Sequence, residues 1–120
     1  MKWLNRKPPL ELEDTGELRL LVARAIGEYM ERLDEARNTN SPKSVFDLEP
    51  IWYIAERGDP RLAAVRFPKG SELASIWDTA DTYCDATCEP GAYRGNEAQV
   101  EQYGMELKTW AAHIIEQHEG

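Results

Sequence analysis

Ile51-Trp52-Tyr53-Ile54-Ala55-Glu56-Arg57-Gly58-Asp59-Pro60-Arg61-Leu62-Ala63-Ala64-Val65-Arg66-Phe67 is the stretch on which the fold class turns. Two readings compete. In the first, 51–57 is a short helix that Gly58 terminates, and Asp59-Pro60 supplies the N-cap and first residue of another helical piece. In the second, 51–56 pairs with 61–67 as a β-hairpin, because both runs are short and rich in aromatic or branched residues. Gly followed by Asp-Pro fits a helix–helix joint slightly better. The preferred class is therefore all-α, and the hairpin gives the α+β alternative.

Outward from this stretch the period is clean. Asp14 with Glu17 three residues later makes a capping-box-like start, with Thr15 as a competing N-cap. Leu18, Val22, Ala25, Tyr29, Leu33 and Ala36 follow at spacings of four and three, and Ile26 and Met30 widen the stripe. This predicts an amphipathic helix over about 15–37, ended by Asn38-Thr39-Asn40-Ser41-Pro42. Ser41-Pro42 would cap a short helical piece. On the other side, Leu73, Trp77, Ala80 and Cys84, flanked by Ile76 and Tyr83, predict a helix over about 72–87 that Glu89-Pro90-Gly91 breaks. Asn96 and Gln99 repeat the capping pattern before a helix over about 97–117, with Val100, Tyr103, Leu107, Trp110, Ala111 and Ile114 on one face. Gly104 inside it costs roughly 1 kcal/mol relative to Ala. Pro8-Pro9 keeps the middle of an N-terminal arm, 1–13, extended. The expected architecture is this arm and one domain, 14–120, built as a helical bundle of three main amphipathic helices plus short helical pieces.

Charge is unevenly placed. Residues 1–70 balance twelve Lys and Arg with twelve Asp and Glu, whereas 71–120 set Arg94 and Lys108 against ten acidic residues and so supply the net −8. Such a surface disfavours nucleic acid, whose phosphates need Lys and Arg to displace their counterions. It favours a basic protein surface or a cation. No apolar run approaches the length of a membrane span and the first ten residues lack a signal-peptide core, so a cytoplasmic chain with no membrane contact is expected.

Asp78, Asp81 and Asp85 are the sharpest candidate site. Spacings of three and four put them on one side of their helix, with Glu89 just beyond, and no Lys or Arg lies between Glu72 and Glu89 to offset them. A solvated polar face, an acidic docking ridge and a divalent-cation site all fit that pattern. Trp3, on an arm with Lys2, Arg6 and Lys7, is a docking anchor or a clasp on the bundle. Trp52, Trp77 and Trp110 read as core. Cys84, Cys88, His113 and His118 are the whole Cys and His content. Tetrahedral zinc is not expected from them: Cys84 falls on the apolar stripe, and two His five residues apart diverge round a helix.

Glu28-Tyr29-Met30-Glu31 resembles one half of the Mg²⁺ pattern, Glu-x-x-Glu then Glu-x-x-Asp, of all-α nucleotide pyrophosphohydrolases of the MazG-like group. The nearest counterpart of the other half, Glu72-Leu73-Ala74-Ser75, lacks the last carboxylate, and Asp78-Thr79-Ala80-Asp81 would replace it only in a shifted register. The resemblance covers two four-residue stretches.

The preferred functional reading is a non-enzymatic acidic interaction protein without a cofactor. It would act as an inhibitor, binding a basic and otherwise nucleic-acid-binding partner through Asp78, Asp81, Asp85, Glu89 and Trp3. Phage anti-defence proteins and immunity proteins against nucleases have this kind of composition. The alternative is a Mg²⁺-dependent nucleotide hydrolase or nucleotide-binding bundle using Glu28, Glu31, Asp78 and Asp81. An enzyme needs those four carboxylates in one cleft, whereas a docking ridge leaves the aspartates on an exposed face.

Overall fold

Thr15, and not Asp14, starts the first helix. A computed structural model of the chain describes residues 10–38, 48–88 and 96–119, except for the side chains of Leu10, Ala64 and Cys88. In it the Thr15 hydroxyl accepts the Leu18 N–H at 3.3 Å, and the Thr15 carbonyl accepts the Arg19 N–H at 2.9 Å. Helix α1 then spans Gly16–Asn38, and the expected stripe from Leu18 to Ala36 is buried throughout. Tyr29, at its centre, is wholly enclosed.

Helix α2 covers Ile51–Gly58, opening at Pro50, whose carbonyl accepts the Tyr53 N–H at 3.1 Å. It closes where the Asp59 N–H returns to the Ala55 carbonyl at 3.1 Å. The Asp59 carboxylate accepts the Arg61 N–H at 3.1 Å and so caps a 3₁₀ turn over Pro60–Ala64, the joint predicted from Gly58-Asp59-Pro60. The hairpin alternative at 51–67 is corrected here. Extended chain does follow, as strand β2 (Val65–Arg66), but it pairs in parallel with strand β1 (Leu10–Glu11). With 51–58 wound into a helix, that segment offers no extended edge, and the N-terminal segment takes its place. Leu12 continues the pairing with an N–H bond to the Arg66 carbonyl at 3.0 Å and buries its side chain in the core. The arm thus enters the fold at its last residues. Two strands of two residues each leave the class all-α.

A turn over Pro68–Ser71, closed by the Ser71 N–H on the Pro68 carbonyl at 3.0 Å, leads into helix α3 (Glu72–Cys88). Gly70 holds the position of that turn that requires a positive φ, at +85°. Helix α4 (Glu97–Glu119) begins where the Asn96 carbonyl accepts the Gln99 and Val100 N–H groups, each at 3.1 Å. The helical piece expected after Ser41-Pro42 and the break at Glu89-Pro90-Gly91 lie outside the described residues.

Helix α1 is the centre of the packing, with α4 along one flank and α2 along another, while α4 also covers α3. Tyr29 meets Tyr83 edge to face, with ring centroids 6.2 Å apart, and its hydroxyl hydrogen-bonds to that of Thr87. Trp110 is buried as expected. Trp52 and Trp77 are not fully core: both are half-buried, and Trp77 lies edge-on to Phe67 at 5.7 Å. Among the described residues, no helix is long and apolar enough to cross a membrane.

Candidate functional site

The face that α3 leaves uncovered follows from the face it buries. Leu73, Ala80, Tyr83 and Cys84 go inward. At about 100° per residue, positions 78, 81 and 85 lie roughly a third of a turn away from them. Asp78, Asp81 and Asp85 are accordingly exposed, in one row. Helix α3 itself contains no Lys or Arg, and no ion pair among the described residues engages these three carboxylates. Because the row flanks the core instead of opposing it, Asp81 is partly desolvated. That desolvation first, then the charges of Asp85 and Asp78, push its carboxyl above the ordinary aspartate value. Glu89 and Trp3 lie outside the described residues.

Beside the row is an open groove of about 750 Å³, with Phe67, Ala74, Trp77 and Asp78 among its lining residues. Arg66 and Lys69 also line it, together with Glu11, which pairs with Arg66 at 3.2 Å. Asp78 thus belongs both to the aspartate row and to this partly apolar surface. Sequence reasoning missed Phe67, Ala74 and Lys69 as members of this surface. The one local signal was Trp77, a member of the predicted apolar stripe next to Asp78.

The four carboxylates of the cation alternative are not gathered. Glu28 forms an i,i+4 pair with Arg32 at 2.9 Å, and Glu31 is exposed on α1. Glu72, the start of the second resembling stretch, accepts the Trp110 indole N–H at 2.9 Å and pairs with Arg19 at 2.7 Å. Arg19 in turn grips Asp14 through two bonds, at 2.5 and 3.0 Å. Asp14 Oδ2 also accepts the Leu73 N–H at 3.2 Å, so the residue expected to cap α1 caps α3 instead. This network ties α1, α3 and α4 together. Among the described residues, no group of three or more His, Cys, Asp or Glu side chains stands close enough to hold a metal ion. Cys84 is a buried thiol whose sulfur accepts the Ile51 N–H at 3.4 Å, His113 is exposed, and His118 stands against Gly16. The Cys88 side chain is outside the described set.

Comparisons with known protein families, curated proteins and solved structures find no match.

Proposed function

We propose that this chain is an acidic interaction protein without catalytic chemistry, which presents Asp78, Asp81 and Asp85 to the basic surface of a partner protein. Its role would be inhibitory: the carboxylates would occupy a surface that otherwise holds nucleic acid. One observation carries the reading. Three exposed carboxylates stand in a row on a helix with no cationic residue of its own, an arrangement that costs the isolated fold stability and returns nothing to it. A cationic partner converts that repulsion into attraction, and long-range steering by the row speeds encounter. Screening would limit the steering to a reach of about 8 Å at physiological salt.

The test is capture from the native host with the wild-type chain and with the triple variant Asp78→Asn, Asp81→Asn, Asp85→Asn, the captured proteins being identified by mass spectrometry. A partner with a basic surface should be held by the wild type and lost from the triple variant, which should stay folded. For the purified pair, the on-rate should fall in the variant and its salt dependence should flatten. A captured partner with unchanged affinity and salt response in the variant would rule the reading out.

A further inference from the structure

A second cleft, of about 450 Å³, lies between the later turns of α1 and the first turns of α4. The two helices run antiparallel, since His118 near the end of α4 stands against Gly16 at the start of α1. Arg37 therefore marks the same end of the cleft as Glu101, and Asp34 lies toward Lys108. All four side chains are exposed, and none of them enters an ion pair among the described residues. The groove beside the aspartates differs in this respect, because its Glu11 already holds its Arg66.

The floor of the cleft is apolar but for one group. Leu33 lies buried in it, and so does Tyr83, which is 5% exposed. The Tyr83 hydroxyl sits beside Gly104, where a Cβ would stand 3.0 Å from its oxygen. With no side chain at Gly104, the cleft reaches down to this phenol. Burial raises the Tyr83 pKa above the ordinary tyrosine value, against the charge of Arg37 nearby, so the hydroxyl keeps a proton to donate. Met105, on the rim, is 68% exposed, and its unbranched thioether can adapt to what enters.

These features specify a ligand by its chemistry. The volume falls in the usual range for small-molecule sites, about 300–1,000 Å³. The apolar floor calls for an apolar body. Opposite signs on the two walls call for a molecule that carries both charges on neighbouring atoms, since a ligand of one sign leaves one wall desolvated and unpaired. A zwitterion is neutral as a whole, so the net −8 of the chain does not repel it.

We propose that this cleft binds a free α-amino acid with a large apolar side chain. Arg37 and the Tyr83 hydroxyl donate to its carboxylate, Glu101 accepts from its ammonium group, and its side chain lies over Leu33 and beneath Met105. The site contains none of Asp78, Asp81 and Asp85, and it stands or falls apart from the docking function.

Titration of the isotope-labelled chain, followed by nuclear magnetic resonance, tests this with L-phenylalanine and L-leucine. The controls each lack one part: phenethylamine the carboxylate, hydrocinnamate the ammonium group, and free glycine the apolar body. L-Phenylalanine should shift the Gly104 and Met105 amides saturably. It should bind at least about tenfold more tightly than each control, the share expected of one charge-assisted hydrogen bond or one buried apolar group. Arg37→Gln should weaken L-phenylalanine about tenfold and leave phenethylamine unchanged, whereas Glu101→Gln should weaken it and leave hydrocinnamate unchanged. Both positions are exposed, so both variants should melt like the wild type. Tyr83→Phe keeps the ring and should likewise weaken L-phenylalanine and spare phenethylamine. Equal binding of L-phenylalanine and its controls would overturn the proposal, as would saturable shifts that map away from the cleft. So would the absence of saturable shifts with both amino acids, or full affinity for L-phenylalanine in both charge variants.

Discussion

Asp14 and Asp81 show how one residue type takes opposite roles from its surroundings. At Asp14 the hydrogen bonds from Arg19 hold the carboxyl below its ordinary value, against a smaller penalty from burial, with the Leu73 N–H adding to the effect. A lowered folded-state pKa means that this contribution is complete above the ordinary aspartate value and fades as pH falls through the folded one. Asp14→Asn should therefore destabilise the protein by about 1.5–3 kcal/mol at pH 7, the usual range for bonds to a charged group. In thermal melts the gap between variant and wild type should close below about pH 4. At Asp81 the shift is upward, so the ionised form is the disfavoured one in the folded state. Asp81→Asn should be neutral or stabilising by up to about 0.5 kcal/mol at pH 7, and this gain should vanish as pH falls below the ordinary aspartate range. A loss of stability on Asp81→Asn would mean that the carboxylate has a structural partner.

At the scale of the element, Gly104 decides how closely α4 approaches α3. A Cβ at that position would fall 2.9 Å from Tyr83 Cε1 and 3.0 Å from its Cζ and hydroxyl oxygen. The Tyr83 ring is buried and already packed edge to face with Tyr29, so yielding to the Cβ disturbs that contact. Helix propensity alone says that Ala should improve α4 by about 1 kcal/mol. The overlap should outweigh this, and Gly104→Ala should cost about 1–3 kcal/mol in denaturant unfolding. In a Tyr83→Leu background the same substitution should become neutral or favourable, a coupling that a double-mutant cycle reads directly. Read from the sequence, Gly104 is only a local weakness in a helix. Its purpose is visible only across the interface.

For the molecule as a whole, the two half-chains divide the work. The charge-balanced first part supplies α1, α2 and the strand pair, and most of its described arginines are spent on internal ion pairs such as Arg19–Asp14, Arg32–Glu28 and Arg66–Glu11. The acidic second part supplies α3 and α4, of which α4 packs on both α1 and α3, and the aspartates of α3 stay outside. Within the second part, Trp110 joins α4 to α3 through its indole bond to Glu72, at 2.9 Å, and its buried ring. Trp110→Ala should cost about 3–5 kcal/mol in melting or denaturant experiments, as for other buried aromatics. Trp77→Ala should cost less than half of that, because its half-buried ring borders the groove. Equal losses at the two positions would show that the groove collapses around Trp77 in solution.

The sequence by itself determined the three long helices and the side of each that turns inward. Over four or more turns a 3.6-residue apolar period is repeated often enough to exclude other readings, and in α1 every residue of the predicted stripe is buried. The common face of Asp78, Asp81 and Asp85 follows from the same periodicity. The segment 51–67 was legible only in part. Each of its runs is shorter than the period needs, and the strand partner of Arg66 is Glu11, fifty-five positions away in the chain. Tertiary structure alone decided that Asp14 caps α3, that Glu72 serves Trp110 and Arg19, and that Asp78 lines a groove with Ala74, Trp77 and Phe67. Those outcomes depend on which helix ends and faces meet in space, and sequence periodicity describes each helix without its neighbours.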